Sequence, residues 1–203
     1  MDLFSTSSAN QHSWLTLPDS QLLWLPNFLS QQESDQLFSC LKQCVPWKQE
    51  TIRLFGRSVL QPRLQAWYGS HPYTYSGLTV NPLPWIEPLH DIKQRCEEIA
   101  GCPFNSVLAN MYRDGQDSMG SHQDNEPELG KNPVIASVSL GETRRFTLCH
   151  QLSGEKHTME LEHGSLLIMA GATQHFWKHS VPKTRRPCSE RINLTYRYVY
   201  DQK

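Results

Sequence analysis

The sequence lacks the features that mark membrane, secreted or disordered chains. No apolar run approaches the roughly 20 residues that a helix needs to cross a bilayer. The first 20 residues show no basic stretch followed by an apolar core, so we expect no secretory signal. Internal repeats and low-complexity tracts are also missing. With 203 residues, of which 38% are hydrophobic and 19% charged, the chain can bury a substantial core, and its composition argues against disorder.

Paired cysteine motifs are absent as well. The six cysteines form no CxxC pair and no zinc-site spacing. We therefore expect reduced thiols and an intracellular protein, cytoplasmic in a bacterium and nuclear in a eukaryote. Cys40 and Cys44 lie one turn apart on a predicted helix.

Acidic residues are missing from one long stretch. The net charge is −1, yet residues 51–86 contain no Asp or Glu, and residues 175–203 contain seven Lys or Arg against two acids. Two positive stretches on a nearly neutral protein can form one face for a polyanion.

The pattern of elements predicts an α+β fold. Ser30 and Glu33 form a capping box before an amphipathic helix at 31–44, and a second helix is predicted at 85–100. Short strands follow without intervening helices, which is typical of a two-sheet jelly roll. The predicted strands are 51–55, 58–60, 64–68, 107–112, 134–140, 145–150, 158–162, 165–169, 176–180 and 191–200. Residues 1–20 lack periodicity and are predicted to be a flexible arm, and residues 21–203 a single domain.

The C-terminal strand carries the most informative pattern. Four polar residues alternate with apolar and aromatic ones: Arg191, Asn193, Thr195 and Arg197. Alternate residues lie on one face of a strand. If that face points into the sandwich, two buried guanidinium groups need anionic partners, and no acidic residue alternates with them. A bound dicarboxylate would satisfy both, since arginine binds carboxylates through paired hydrogen bonds.

His122-Gln123-Asp124 is the second signal. In an extended segment, His122 and Asp124 project to the same side and can bind one metal ion. One further histidine would complete the set of two histidines and one carboxylate that non-haem Fe(II) oxygenases use. The candidates are His150, His157, His163, His175 and His179. Strand parity does not decide between the last two, and the spacing to the arginine strand favours His179.

Asn110 and Tyr112 share a strand face and can both meet a carboxylate ligand. With them, the chain resembles the AlkB family of Fe(II)- and 2-oxoglutarate-dependent dioxygenases over most of its length beyond residue 20. The family pattern is an Asn-x-Tyr strand, an HxD motif, a distal His and Arg-x-Asn-Leu-Thr-[Phe/Tyr]-Arg. This chain reads Asn110-Met111-Tyr112, His122-Gln123-Asp124, His179 and Arg191-Ile192-Asn193-Leu194-Thr195-Tyr196-Arg197.

The resemblance implies a double-stranded β-helix (jelly-roll) catalytic core at about 107–200 and a nucleotide-recognition hairpin segment at about 50–80. The implied catalytic iron ligands are His122, Asp124 and His179. The implied 2-oxoglutarate contacts are Arg191, Tyr112 and Asn193 at the distal carboxylate, Arg197 and Asn110 at the metal-chelating end, and Thr195 along the same pocket. The implied reaction uses Fe(II), O2 and 2-oxoglutarate to hydroxylate a methyl group on a base nitrogen. Formaldehyde is then released and the base is repaired.

The same resemblance implies a DNA substrate whose damaged base, such as 1-methyladenine or 3-methylcytosine, is flipped out of the helix. Tyr75 is predicted to stack on the base opposite His122, with Tyr73 and Trp67 as alternatives. Glu126 resembles the position facing the exocyclic amine, and Asn125 stands where some relatives have an acid.

The segment Leu54-Phe55-Gly56 resembles the hydrophobic finger of relatives that act on duplex DNA, in which an apolar wedge fills the gap left by the flipped base. Predicted phosphate contacts are Arg53, Arg57, Arg63, Lys183, Arg185 and Arg186. We therefore expect duplex DNA as the preferred partner, no membrane partner and a monomeric protein.

Three alternatives stay open at this stage. The same chemistry could act on RNA or single-stranded DNA. The chain could instead be an inactive nucleic-acid-binding jelly roll, although the intact HxD and distal His argue against that. It could also be a metal-free or zinc-bound binding protein in which His122 and Asp124 are only surface residues.

Overall fold

A computed structural model describes residues 13–54, 57–70, 73–75 and 78–201. The strands in that part of the chain are β1 (Ser13–Leu15), β2 (Gln21–Leu25), β3 (Thr51–Leu54), β4 (Arg57–Leu60), β5 (Leu64–Gly69), β6 (Tyr73–Tyr75), β7 (Leu78–Val80), β8 (Ser106–Tyr112), β9 (Met119–His122), β10 (Ile135–Gly141), β11 (Arg144–His150), β12 (Lys156–Leu161), β13 (Ser165–Ala170), β14 (Trp177–Val181) and β15 (Arg191–Arg197). The helices are α1 (Gln31–Cys44), α2 (Glu87–Ala100), α3 (Thr173–Phe176) and a 3-10 turn at Pro127–Leu129.

Two facing antiparallel sheets form the body of the fold. The larger has the order β1-β2-β13-β10-β15-β8-β5, and the smaller has the order β12-β11-β14-β9. Strands distant in sequence are neighbours in both sheets, as in a jelly roll. The predicted α+β fold with a jelly-roll core is thereby confirmed.

The larger sheet is buried on both faces. In β13, Leu167 and Met169 pack between the two sheets, whereas Leu166 and Ile168 pack beneath the helices. A strand covered on both sides needs a continuous apolar run instead of an alternating one, and residues 165–170 have it. The core therefore has two layers, and the inter-sheet layer surrounds the site described below.

Both predicted helices are present. α1 spans the predicted residues, and its capping box is formed, because Ser30 Oγ accepts from the Glu33 amide (3.3 Å) while the Glu33 carboxylate accepts from the Ser30 amide (2.8 Å). α2 begins at Glu87, two residues later than predicted, and ends at Ala100. Its C-cap residue is Gly101, whose φ of +67° is a left-handed conformation that glycine adopts without strain.

Residues 13–20 do not form the flexible arm that the sequence predicted. β1 pairs with β2, and the Trp177 indole donates to the carbonyl of Pro18 (2.7 Å). His150 also lies 3.4 Å from the Asp19 carboxylate. Residues 13–20 therefore pack on the domain, and the expectation of a loose arm up to residue 20 was wrong for this part.

Two small hairpins lie in the predicted nucleotide-recognition segment. β3 pairs with β4, and β6 pairs with β7, as separate two-stranded sheets. Every residue of β4 is exposed, including Val59 and Leu60. Among the described residues, the helices are all too short or too polar to cross a membrane.

Candidate active site

Two antiparallel strands of the smaller sheet bring the HxD motif to its third partner. His122 ends β9 and pairs directly with His179 of β14, and Asp124 follows two residues later. The candidate ligand atoms of these three residues all lie within 4.8 Å of one another. His122 Nε2 is 3.4 Å from Asp124 Oδ1, and the two imidazole rings are 4.2 Å apart. Such a cluster can hold one metal ion and leave further coordination positions open.

Of the five histidines left open by the sequence, His179 is the one in this cluster. His175 lies on the short helix α3 and His179 on strand β14, which is why strand parity could not compare them. His175 is exposed, whereas His179 points inward from β14. His163 sits in a turn, where it accepts a hydrogen bond from the Gly141 amide and contacts Asp35.

Gln174 holds the HxD segment in place, and no sequence pattern indicated this role. Its side-chain oxygen accepts from the Asp124 amide (3.0 Å), and its backbone carbonyl accepts from Gln123 Nε2 (2.7 Å). Gln174 is fully buried on α3. These two bonds span about fifty residues of sequence, so only the folded structure reveals them.

The electrostatics of the site set the protonation states of the buried Asp124 and His179. Burial opposes ionisation of Asp124, but Arg197 and the two histidines hold its pKa well below the usual range. Burial, together with the positive charge of Arg197 and the nearby His122, lowers the pKa of His179 to about 3. At neutral pH the site therefore offers a carboxylate and a neutral imidazole, the forms in which these groups bind metals.

The polar face of β15 points between the sheets, as predicted. Asn193 Nδ2 donates to Ser137 Oγ (2.9 Å), and Thr195 Oγ1 donates to Asn193 Oδ1 (3.0 Å). Ser137 lies opposite Thr195 on β10, and the sequence analysis missed its role. The side chains lining the pocket between the sheets include Asn110, Tyr112, His122, Asp124, His179, Asn193, Thr195 and Arg197.

Arg191 is the buried cation at one end of this network. It is 1% exposed, it donates from Nη2 to Ser139 Oγ (2.9 Å), and its guanidinium lies 5.1 Å from the centre of the Tyr112 ring. Its Nε and Nη1 are buried without a hydrogen-bond partner among the described residues. Burial, with Arg144 nearby, lowers its pKa, whereas Tyr112 raises it. Arginine nevertheless stays charged, so its Nε and Nη1 remain available to an anion.

These residues fit Fe(II) and 2-oxoglutarate. The unpaired N–H groups of Arg191 match one carboxylate of a diacid. The cluster of His122, Asp124 and His179 matches an iron ion, which the other end of the same diacid would chelate. Asn110, Tyr112, Asn193 and Thr195 are hydrogen-bonding groups around the same pocket. Arg197, expected to hold the chelating end, binds Asp124 in this structure.

Two further arginines, Arg63 and Arg144, are buried near the pocket, and the sequence patterns did not indicate this. Arg63 was predicted to contact phosphate at the surface, but it is 4% exposed and donates from Nε to Asn110 Oδ1 (2.8 Å). The phosphate assignment was therefore wrong for Arg63. Arg144 is also buried, and it donates to the carbonyls of Asp114, Asp117 and Pro182 (2.8–3.1 Å). It thereby ties two loops together beside Tyr112.

The predicted substrate contacts divide into three groups. Phe55 and Gly56 lie outside the described residues, and for Tyr73 and Tyr75 the structure describes the β6 backbone only. The exposed candidates are Arg57, Asn125, Lys183, Arg185 and Arg186, and Glu126 is half-buried at the start of the 3-10 turn. Trp67, an alternative stacking partner, is buried in the inter-sheet core, so that alternative was wrong.

A jelly roll that holds two histidines and a carboxylate beside a buried arginine defines a class, the non-haem Fe(II) oxygenases that use 2-oxoglutarate. Comparison with known proteins agrees. A profile described as the 2OG-Fe(II) oxygenase superfamily matches residues 21–197. The solved structure of OsALKBH1 shares the fold, with a TM-score of 0.62 at 19% identity, over 90% of this chain and 99% of that one.

Two human proteins are similar in sequence. Alpha-ketoglutarate-dependent dioxygenase alkB homolog 3 is 44% identical over 191 residues, which cover 89% of this chain and 67% of the human protein. DNA oxidative demethylase ALKBH2 is 38% identical over 180 residues, which cover 82% of this chain and 69% of that protein. The chain thus spans about two thirds of each relative. It belongs to the AlkB family of Fe(II)- and 2-oxoglutarate-dependent dioxygenases.

Proposed function

We propose that this dioxygenase removes alkyl groups from base nitrogens in DNA, as in 1-methyladenine and 3-methylcytosine, and so repairs alkylation damage directly. The observation that carries the proposal is Arg191, buried beside Tyr112 with two nitrogens that have no hydrogen-bond partner among the described residues, in the same inter-sheet layer as the candidate metal-ligand cluster. The names of the relatives, one of them a DNA oxidative demethylase, support the substrate class.

Each pocket residue has a proposed task. Arg191, with Tyr112 and Asn193, binds the distal carboxylate of 2-oxoglutarate, and Asn110, Thr195 and Arg197 line the rest of the pocket. His122, Asp124 and His179 hold iron. When bound, iron, O2 and 2-oxoglutarate would supply the oxidising power to hydroxylate an N-methyl carbon, whose hydroxymethyl product breaks down to formaldehyde and the repaired base. The apolar side chains around the pocket, Met119, Phe146, Met169 and Val181, exclude water from the reacting atoms.

The damaged base is proposed to enter beside His122. The imidazole of His122 is half-buried at the pocket lining, so one side of it can meet a flipped base. Tyr75 is the proposed stacking partner on the other side, with Tyr73 next to it in sequence. Glu126 is proposed to accept from an exocyclic amine of adenine or cytosine and to favour the positive charge of the methylated base. Asn125 is exposed one residue earlier.

DNA phosphates are proposed to meet two exposed basic sites. Arg57 lies on β4 of the exposed hairpin, and Lys183, Arg185 and Arg186 lie on the loop after β14. Such contacts act regardless of base sequence. We propose duplex DNA as the preferred substrate because Phe55 and Gly56 follow β3 directly in the sequence and precede β4, and the resemblance to the hydrophobic finger implies an apolar wedge that replaces the flipped base.

Formaldehyde release tests the proposal. Purified protein with Fe(II) and 2-oxoglutarate should release formaldehyde from oligonucleotides carrying 1-methyladenine or 3-methylcytosine, and from duplexes more readily than from single strands. Phe55→Ala should lower duplex activity selectively, whereas Leu152→Ala, which removes an exposed apolar side chain on a distant turn, should change neither. Turnover of 2-oxoglutarate without release from any alkylated oligonucleotide would refute the substrate class.

The strand preference has its own outcomes. Equal losses on both strand forms in Phe55→Ala would refute the wedge assignment. Stronger activity on single-stranded DNA or on methylated RNA would favour the alternative substrate over duplex DNA. An inactive binding protein would show no iron-dependent turnover of 2-oxoglutarate at all.

A further inference from the structure

Two thiols face each other on the outer surface of α1. Cys40 and Cys44 are both exposed, and their Sγ atoms lie 4.0 Å apart. Residues four positions apart on a helix differ by only about 40° around its axis, so their side chains share one face. None of the tasks assigned to the active site involves these residues.

The helix holds this pair in place. α1 is fixed at its start by the capping box at Ser30 and Glu33, and Leu41 anchors it in the core. The sulfur separation is close to that required for binding one ion, since two thiolates at about 2.3 Å from a tetrahedral centre lie about 3.8 Å apart. The remaining cysteines differ: Cys96 is buried, and Cys102, Cys149 and Cys188 are half-buried.

We propose that Cys40 and Cys44 form a bidentate site for trivalent arsenicals. An organoarsenical oxide, R–As=O, reacts with the two thiols to give R–As(SγCys40)(SγCys44) and water. Two As–S bonds replace the As=O bond, both thiol protons leave with the oxygen, and no oxidation state changes. Because the second bond closes within one molecule, the pair should bind about 10²- to 10⁴-fold more tightly than a single thiol.

The surroundings favour an arsenical over a divalent metal. Among the described residues, no third histidine, cysteine or carboxylate completes a metal cluster with this pair, and trivalent arsenic with one organic substituent needs only two sulfurs. Partial burial and the hydrogen bond with Cys40 raise the pKa of the Cys44 thiol. A divalent cation would have to displace both protons into solution, whereas the arsenical oxide releases them as water.

Phenylarsine oxide is the probe for this site. Native mass spectrometry should show one phenylarsenic per chain at stoichiometric concentration, with two fewer thiols reacting with Ellman's reagent. A dithiol such as 2,3-dimercaptopropanol should remove the adduct, whereas an equal concentration of a monothiol should not. Failure of wild-type protein to form this adduct would overturn the proposal.

Substitutions on α1 and at Cys102 distinguish the pair from the other cysteines. Cys40→Ser and Cys44→Ser should each lower the affinity for phenylarsine oxide at least 100-fold, and Cys102→Ser should leave it unchanged. The double variant Cys40→Ser/Ser39→Cys keeps six thiols, but the thiols at positions 39 and 44 then lie about 140° apart around the helix axis. This variant should bind phenylarsine oxide as weakly as Cys40→Ser. Circular dichroism checks that each variant is folded. Tight binding by Cys44→Ser or by the double variant would refute the site.

Discussion

Arg197 donates two hydrogen bonds to one carboxylate oxygen of Asp124, from Nη2 at 2.7 Å and from Nε at 3.0 Å. Both side chains are nearly inaccessible to solvent. The arginine therefore neutralises the buried Asp124 carboxylate and orients its second oxygen, Oδ1, towards His122. One arginine of the C-terminal motif thus contacts a candidate metal ligand, whereas the other, Arg191, is the one proposed to bind the co-substrate.

The first prediction concerns Arg197. In Arg197→Gln, the Asp124 carboxylate stays buried without its counter-charge, which typically costs about 3–5 kcal/mol. We expect the free energy of unfolding of the metal-free protein to fall by that amount at neutral pH. Urea denaturation measures it, with the exposed Arg185→Gln as a control that should be neutral. Equal stability of Arg197→Gln and wild-type protein would show that the ion pair contributes nothing.

The second prediction separates stability from function at Arg191. Because two of its buried nitrogens have no partner among the described residues, Arg191→Met should leave the ligand-free protein equally or more stable. It should also abolish stabilisation by 2-oxoglutarate, which for wild-type protein is about 2.7 kcal/mol at 100 times Kd. Thermal unfolding with Mn(II), with and without 2-oxoglutarate, measures both effects. Undiminished stabilisation of the variant by 2-oxoglutarate would place the co-substrate elsewhere.

The third prediction concerns Gln174, which contacts the HxD segment without being a metal ligand. In Gln174→Leu, the Asp124 amide loses its acceptor, whereas the backbone carbonyl that accepts from Gln123 remains. Loss of such supporting contacts weakens metal binding by about 10- to 100-fold. An anaerobic Fe(II) titration measures the change, and Gln36→Leu, at an exposed position of α1, is the control. A variant that binds Fe(II) as tightly as wild-type protein would rule out this positioning role.

Local and alternating patterns explain what the sequence could predict. α1 followed from its capping box and apolar spacing, and the inward face of β15 followed from strict alternation, since both depend on near neighbours in the chain. Phosphate contact was wrongly expected of Arg63. Its side chain is buried against Asn110, which lies 47 residues away in the sequence, and no local pattern indicates such a contact.

The supporting shell of the site could not be predicted for the same physical reason. Ser139 reaches Arg191 across 52 residues, and Gln174 reaches Asp124 across 50. Such pairs depend on the register between distant strands and on the insertion of α3 before β14, and neither leaves a periodic signal. Family resemblance supplied the ligand set, but it did not supply Gln174, Ser139 or Arg144.

The fourth prediction concerns how the basic loop after β14, which carries Lys183, Arg185 and Arg186, is held in position. A methyl group on Gly115 would lie 2.6 Å from the carbonyl oxygen of Thr184, whose amide donates to the Gly115 carbonyl (2.8 Å). Gly115→Ala should therefore displace the loop that carries Lys183 and Arg186. We expect weaker binding to DNA with a shallower salt dependence and unchanged turnover of 2-oxoglutarate without DNA.

A double-mutant cycle tests whether Gly115 acts through that loop. Lys183→Ala should weaken DNA binding less in the Gly115→Ala background than in wild-type protein, because the lysine is already misplaced there. Lys131→Ala, at an exposed position elsewhere, should have the same effect in both backgrounds. Fully additive effects of Gly115→Ala and Lys183→Ala would contradict the coupling.

The fifth prediction concerns how the stability contributed by the Arg113–Asp117 ion pair depends on pH. Asp117 is 4% exposed, and Arg113 donates to it from its amide (2.9 Å), from Nε (2.8 Å) and from Nη2 (2.9 Å). Burial opposes ionisation, but the hydrogen bonds from Arg113 outweigh it and lower the pKa of Asp117. A carboxyl whose pKa is lowered in the folded state stabilises the protein at pH values above its unfolded-state pKa near 3.8. This contribution disappears as the pH falls through the folded-state pKa.

Asp117→Asn should therefore cost about 1–3 kcal/mol at pH 7 and progressively less below about pH 4. Urea denaturation across this range measures the difference, with the exposed Asp114→Asn as control, and a pH-independent difference would show that the ion pair is not its source.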